Sequence, residues 1–169
     1  QRNTPDPEGG NKLLRNDGPP DSLKGGGFTD VTRQAGMYSS AIGFGLGVTV
    51  GDYDRDGWQD LYISNDFFER DYLYHNNGDG TFSEVLEKVI PEISKGSMGA
   101  DMADLNNDGF PEIFVTEMTP HDDARYKTKT AFDDWNTYQT MLETGYHRQF
   151  GRNVLQLNHG GRGTVDGGR

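Results

Sequence analysis

The chain has 169 residues, of which 32% are hydrophobic and 24 are glycine, the composition of short strands and many turns in one domain or two small ones. Its formal net charge of −11 argues against a nucleic-acid partner, because neutralising phosphates needs a basic face. There is no cysteine and hence no disulfide framework, and no apolar run is long enough to span a bilayer.

Residues 1–10, QRNTPDPEGG, read as a polar tail or linker. Gln1 is not an initiator methionine and no export signal follows it, so a processed product or an excerpt is expected. Asn11–Gly18 reads as a strand entering a turn, residues 18–27 as a loop, and Phe28–Thr32 as a second strand. Gly43–Val50 is a glycine-studded strand leading into the stretch Asp52-Tyr53-Asp54-Arg55-Asp56-Gly57-Trp58-Gln59-Asp60.

In that stretch Asp52, Asp54, Asp56 and Asp60 stand at relative positions 1, 3, 5 and 9, with Gly57 at 6. A hard cation such as Ca²⁺ takes six to eight oxygen ligands at about 2.3–2.6 Å, and this spacing supplies them as the loop curls. The three leading aspartates give side-chain oxygens, the Trp58 carbonyl faces inward at position 7, and Asp60 closes the sphere. Gly57 gives the freedom for the sharp turn. Without a cation, four neighbouring carboxylates repel one another and draw protons from water. The pattern recurs in Asp104, Asn106, Asp108 and Glu112, with Gly109 at position 6 and the Phe110 carbonyl at 7. One copy is compatible with an ordinary turn; two copies, each followed by a hydrophobic strand, favour cation loops.

A helix-loop-helix hand needs a bidentate Glu at position 12, where this chain has Ile63 and Val115. The flanks Leu61–Ser64 and Ile113–Thr116 are β-branched and aromatic, so each loop joins two strands. The first stretch then repeats. Asp71–Gly78 matches 11–18, Phe82–Val85 matches Phe28–Val31, Gly99–Ala103 leads into the second loop, and Asn153–Gly160 opens a third copy. Asn77-Gly78-Asp79-Gly80 is a hairpin turn. After residue 160 the chain is expected to dissolve into glycine.

A period of roughly fifty to sixty residues with four strand candidates points to propeller blades. The predicted fold is therefore all-β, made of four-stranded antiparallel blades in an incomplete set of about two to three. The expected divisions are a tail at 1–10, repeat 1 at 11–70, repeat 2 at 71–117, a helical insertion at 118–152, and the start of repeat 3 with a Gly-rich tail at 153–169. Within the insertion Phe132, Trp135, Tyr138, Leu142 and Tyr146 form a helical stripe, expected to cap the blades and be hidden.

Catalysis finds little support. G-x-S-x-G, H-E-x-x-H and a phosphate-cradling loop are all missing from the sequence. Of the histidines, His121 beside Asp122 and Asp123 reads as solvated, and His75 and His159 are placed in repeat-equivalent turns, which favours structural roles. Sugar binding is the alternative, with Tyr53, Trp58 and Tyr62 as stacking candidates, although Tyr62 and Phe114 on strands are expected to pack in a core.

The pattern N-x-L-x-x-N-x-G, F-x-D/E-V, G-x-G and D-x-D/N-x-D-G-x-x-D/E followed by a strand resembles the FG-GAP/VCBS repeats. These build the calcium-bearing β-propeller of integrin α subunits and of many secreted bacterial proteins. The phrasing GDYDRDGWQDLYISN and ADLNNDGFPEIFVTE is similar to the bacterial type associated with ASPIC/UnbV proteins. The resemblance spans roughly residues 11–165 and implies cation ligation by Asp52, Asp54, Asp56 and Asp60, and by Asp104, Asn106, Asp108 and Glu112. It also implies two Ca²⁺ sites, the first tighter, because Asn106 removes a charge and Glu112 lengthens the closing arm.

The expected function is a non-enzymatic structural or protein-interaction module, for adhesion or assembly, of a secreted or surface protein of bacterial type. The alternatives are a lectin-like propeller or an accessory domain of a larger extracellular enzyme. Loops of this kind fill where calcium is millimolar, outside the cytosol. Open blade faces need cover from a protein partner, the remainder of a longer chain or a second copy, and a glycan is a further possible partner.

Overall fold

The structure is a computed structural model that describes residues 4, 6, 8–19, 27–38, 40–120, 122–129, 134–160 and 165–168. An antiparallel ribbon comes first, β1 (Leu14–Asn16) against β2 (Phe28–Asp30). A four-stranded antiparallel sheet follows: β3 (Gly45–Gly51), β4 (Asp60–Asn65), β5 (Tyr72–Asn76) and β6 (Phe82–Glu84), in that spatial order. The short helix α1 (Leu86–Val89) and β7 (Ile93–Ser94) then lead to β8 (Ser97–Ala103) and β9 (Glu112–Glu117). Beyond them come α2 (Asp123–Lys129), α3 (Trp135–Glu143), β10 (Gln149–Phe150), β11 (Val154–Asn158) and β12 (Val165–Gly168). Strands β8, β9, β11 and β12 make the second four-stranded antiparallel sheet, while β7 and β10 pair in parallel.

The chain is thus mostly β, built of antiparallel blade-like sheets with few helices. The sheets are offset from the sequence repeats. Each takes its first two strands from one repeat and its last two from the next, because the N-x-L-x-x-N-x-G stretch hydrogen-bonds back to the strand leaving the preceding loop. The residues expected to begin a third repeat are therefore the outer half of the second sheet. Residues expected to trail off in glycine include β12, whose backbone pairs with β11 from Asn158↔Val165 to Leu155↔Gly168. Backbone pairing is indifferent to side chains, which is why composition hides this strand.

Alternation sorts the residues between two layers. Tyr62 and Leu73 face the second sheet and meet Ile113 and Val115 there, with Leu86, Val89, Ile90 and Ile93 of the connector closing the cluster. On the opposite face Ile63, Tyr72 and Tyr74 pack under Met37, Tyr38 and Phe82. Strand β4 is buried on both faces, so its hydrophobic run is continuous rather than alternating. Val48 and Val50 on β3 and Phe114 on β9 are exposed, Phe114 contrary to its expected core role, because it lies on the second sheet's outer face.

A buried carboxylate crosses between the sheets. Asp71 accepts hydrogen bonds from the Tyr62 hydroxyl (2.6 Å), the Ser97 hydroxyl of β8 (2.6 Å) and the Asn65 backbone N–H (2.7 Å). Burial pushes its pKa up to about 6 despite these donors.

The insertion is helical, as expected, but its stripe is not hidden: no residue of α3 is buried and Trp135 is 69% exposed. Trp135 packs on Tyr138, and Tyr138 on Phe150, so the ladder is covered only at its inner end. Phe132 and His121 lie outside the described residues.

Candidate metal centre

The two acidic loops have the same backbone. Position 4 is left-handed in each, at Arg55 (φ 62°) and Asn107 (φ 63°), and so is position 6, at Gly57 (φ 94°) and Gly109 (φ 92°). In the first loop Asp52 accepts from the N–H groups of Asp56 (3.1 Å) and Gly57 (3.0 Å), and Asp56 from that of Trp58 (2.8 Å). In the second, Asp104 accepts from Asp108 (3.1 Å) and Gly109 (2.9 Å), and Asp108 from Phe110 (2.8 Å). Aspartates at positions 1 and 5 are therefore held by the turn they themselves shape.

The closing carboxylates sit at the start of β4 and β9 and are buried. Asp60 accepts from the N–H groups of Tyr53 (3.1 Å) and Asn76 (2.8 Å); Glu112 accepts from that of Leu105 (2.8 Å). Burial, opposed by these two backbone donors and reinforced by the charge of Asp54, raises Asp60 to about 6. The loops also touch. Arg55 lies over the Phe110 ring, and the Asn158 amide donates to the Tyr53 carbonyl of the first loop (2.7 Å) and to Pro111 of the second (3.1 Å).

The loops differ in what converges at their centres. One oxygen each from Asp52, Asp54 and Asp60 lie within 4.8 Å of one another, as do ligand atoms of Asp54, Asp56 and His75. Ligands at about 2.3–2.6 Å from a shared ion stand at most roughly 4.6–5.2 Å apart, so the first loop fits a divalent cation. Among the described residues no such group of three acids or histidines forms in the second loop. There Asn106 turns its amide nitrogen inward, donating to Asp108 (3.0 Å) and Glu112 (3.1 Å), while its oxygen accepts from the Asp108 N–H (2.8 Å). The amide N–H groups thus satisfy two carboxylate oxygens from within the loop.

His75 lies on strand β5, and it and His159 fall in equivalent segments but not at equivalent positions. The Asn76 amide donates to the Gln59 carbonyl and its oxygen accepts from Gly78; Asn158 does the same to Pro111 and Gly160. That register aligns His75 with Leu157 and His159 with Asn77, so the two histidines are not equivalents. His75 Nδ1 lies 3.3 Å from Asp54 and 3.5 Å from Asp60, and Nε2 lies 3.9 Å from Asp56. His147 reaches the Ile90 carbonyl (2.9 Å), a structural contact.

The aromatic residues considered for sugar stacking separate. Tyr62 is buried and bonded to Asp71, and Tyr53 is partly buried in the core between the sheets. Trp58 is exposed but rests over the hairpin turn at Gly78, where a Cβ would come within 2.8 Å of the indole nitrogen. No helix among the described residues is long and apolar enough to cross a membrane.

Comparison with known proteins gives a matching family model described as an FG-GAP-like repeat, over residues 52–115. The chain is 38% identical to mouse integrin alpha-7 over 84 residues, covering 43% of this chain and 7% of that protein. It is 33% identical to human integrin alpha-6 over 127 residues, 68% of this chain and 11% of that protein. With mouse integrin alpha-3 it shares 28% identity over 99 residues, 51% of this chain and 9% of that protein. The chain thus spans about a tenth or less of the length of these relatives.

Proposed function

We propose, from a chain that carries an FG-GAP-like repeat over residues 52–115, that it is a non-catalytic propeller segment whose loops hold Ca²⁺ and whose surfaces serve adhesion or assembly outside the cell. The observation that carries this reading is the shared loop geometry. Two stretches of different sequence adopt the same left-handed positions and the same carboxylate-to-backbone bonds, each ending on a buried carboxylate at the start of a strand. Ordinary turns need no buried acid.

Asp52, Asp54, Asp56, Asp60 and the Trp58 carbonyl would hold the first ion. Asp104, Asn106, Asp108, Glu112 and the Phe110 carbonyl would hold the second. A cation bound only by the folded loops stabilises the blades by mass action. The first site is the tighter one, since it has four carboxylates and the second has three beside an inward amide nitrogen. An extracellular address follows from the resemblance to integrin α repeats and from loops that suit millimolar calcium.

Calorimetric titration of the chain with Ca²⁺ tests the reading. Asp52→Ala should remove the tighter site and Asp104→Ala the weaker one. Equal loss of heat and affinity from both variants would contradict the ranking, and no heat from the unaltered chain would contradict the function.

A further inference from the structure

We propose that His75 is a further ligand of the first loop, making it a mixed nitrogen and oxygen site that also takes a first-row transition ion such as Mn²⁺ or Zn²⁺, whereas the second loop takes only oxygen-seeking cations. This rests on reading the first loop as a cation site.

The argument starts from register. On β4 and β5 the pairing runs Tyr62↔Leu73 and Leu61↔Tyr74, which brings Asp60 and His75 next to each other at the loop end. On β9 and β11 it runs Phe114↔Leu155 and Ile113↔Gln156, which brings Glu112 and Leu157 together in the same way. Two loops of one backbone therefore differ in the side chain that the third strand places beside the closing carboxylate. One is an imidazole; the other is an alkyl group that ligates nothing.

The imidazole is aimed at the loop. Its Nδ1 atom is fully buried and forms no hydrogen bond, although Asp54 and Asp60 oxygens lie 3.3 and 3.5 Å away. The oxygen of Asp54 that faces it, Oδ2, is the one left over when Oδ1 accepts from the Asp56 N–H. Likewise Asp56 turns toward His75 the oxygen that does not accept from Trp58. Ligand atoms of His75, Asp54 and Asp56 that converge within 4.8 Å of one another are spaced as an ion between them would hold them. Tyr53 meets the ring edge-on at 6.4 Å and helps to fix its plane.

The chemistry follows from ligand type. Calcium prefers oxygen donors, while imidazole suits the first-row transition ions, whose affinity for a nitrogen-containing site rises from Mn²⁺ toward Cu²⁺ and is still high for Zn²⁺. An added imidazole should raise transition-ion affinity and leave calcium affinity little changed.

The test compares the unaltered 169-residue chain with His75→Gln, which keeps an oxygen donor, and with Asp104→Ala and Asp52→Ala. Mn²⁺ is the first probe, read by pulsed electron paramagnetic resonance for ¹⁴N coupling. The coupling should be present in the unaltered chain and in Asp104→Ala, and absent in His75→Gln and Asp52→Ala. Calorimetry with Zn²⁺ and Ca²⁺ is the second readout: His75→Gln should weaken Zn²⁺ at least tenfold and Ca²⁺ less than threefold. Mn²⁺ without nitrogen coupling, or Zn²⁺ and Ca²⁺ weakened equally by His75→Gln, would overturn the proposal while leaving the calcium reading intact. Failure of both loops to bind any of the three ions would overturn both.

Discussion

Asn106 donates its amide N–H to Glu112 across the second loop, at 3.1 Å, in the place where the first loop sets Asp54 against Asp60. The amide supplies from within the positive end that the first loop lacks. Asn106→Asp should therefore raise the Ca²⁺ affinity of the second loop by on the order of tenfold, about 1.4 kcal/mol, since affinity in such loops follows ligand charge. In chelator the same change should lower stability by about 1–3 kcal/mol, because Asp108 and Glu112 lose their donor and gain a like charge. Titration and melting of the variant, with and without calcium, read both effects.

Asp71 gives a pH dependence of known sign. Its folded pKa, about 6, lies above the ordinary aspartate value of 3.8, so the folded state holds the proton more tightly. That contribution is complete below about pH 4 and is lost as pH rises through 6. Asp71→Asn should flatten this slope and be the more stable protein at pH 7.5, by on the order of 2–3 kcal/mol. The isostere is credible because Asn153 already accepts from the Glu117 N–H (2.7 Å) in the second sheet, as Asp71 does from Asn65 in the first. The difference in unfolding free energy between the two proteins, followed from pH 4 to 8, should grow with pH; a constant difference would refute the assignment.

Asn158 and Asn76 test the link between the loops. Both bond the carbonyl just before a closing carboxylate, but Asn158 also reaches Tyr53 in the neighbouring loop. Asn158→Ala should therefore cost about 1–3 kcal/mol and more than Asn76→Ala, and should weaken calcium at the first loop as well. Equal costs, with calcium binding unchanged, would mean that the cross-loop bond carries nothing.

Gly57 isolates backbone strain. A Cβ there would meet no atom within 4 Å, yet φ is +94°. Gly57→Ala should destabilise the loop by about 1–2 kcal/mol through conformation alone, with the loss read as a lower melting temperature in chelator and in calcium alike.

What could be read in the sequence was local. Spacing of acids around Gly57 and Gly109 forecasts the loops because each aspartate bonds a backbone N–H only two to five residues away. Strands β4 and β9 announce themselves by β-branched and aromatic content. What depends on register between distant strands was not legible. His75 faces Asp60 and Leu157 faces Glu112 only because of how the third strand pairs; counting along the chain matches His75 to Leu157 but does not show that either stands beside a closing carboxylate. The exposed end of the α3 ladder at Trp135 was hidden for a related reason: periodicity marks a stripe but not what lies opposite it. Strand β12 carries too few side chains to leave any pattern.

Thermal unfolding of the 169-residue chain in excess chelator and in millimolar Ca²⁺ tests the central claim most directly. Calcium should raise the midpoint, and Asp52→Ala should remove most of that rise. Identical midpoints in chelator and calcium would contradict the account.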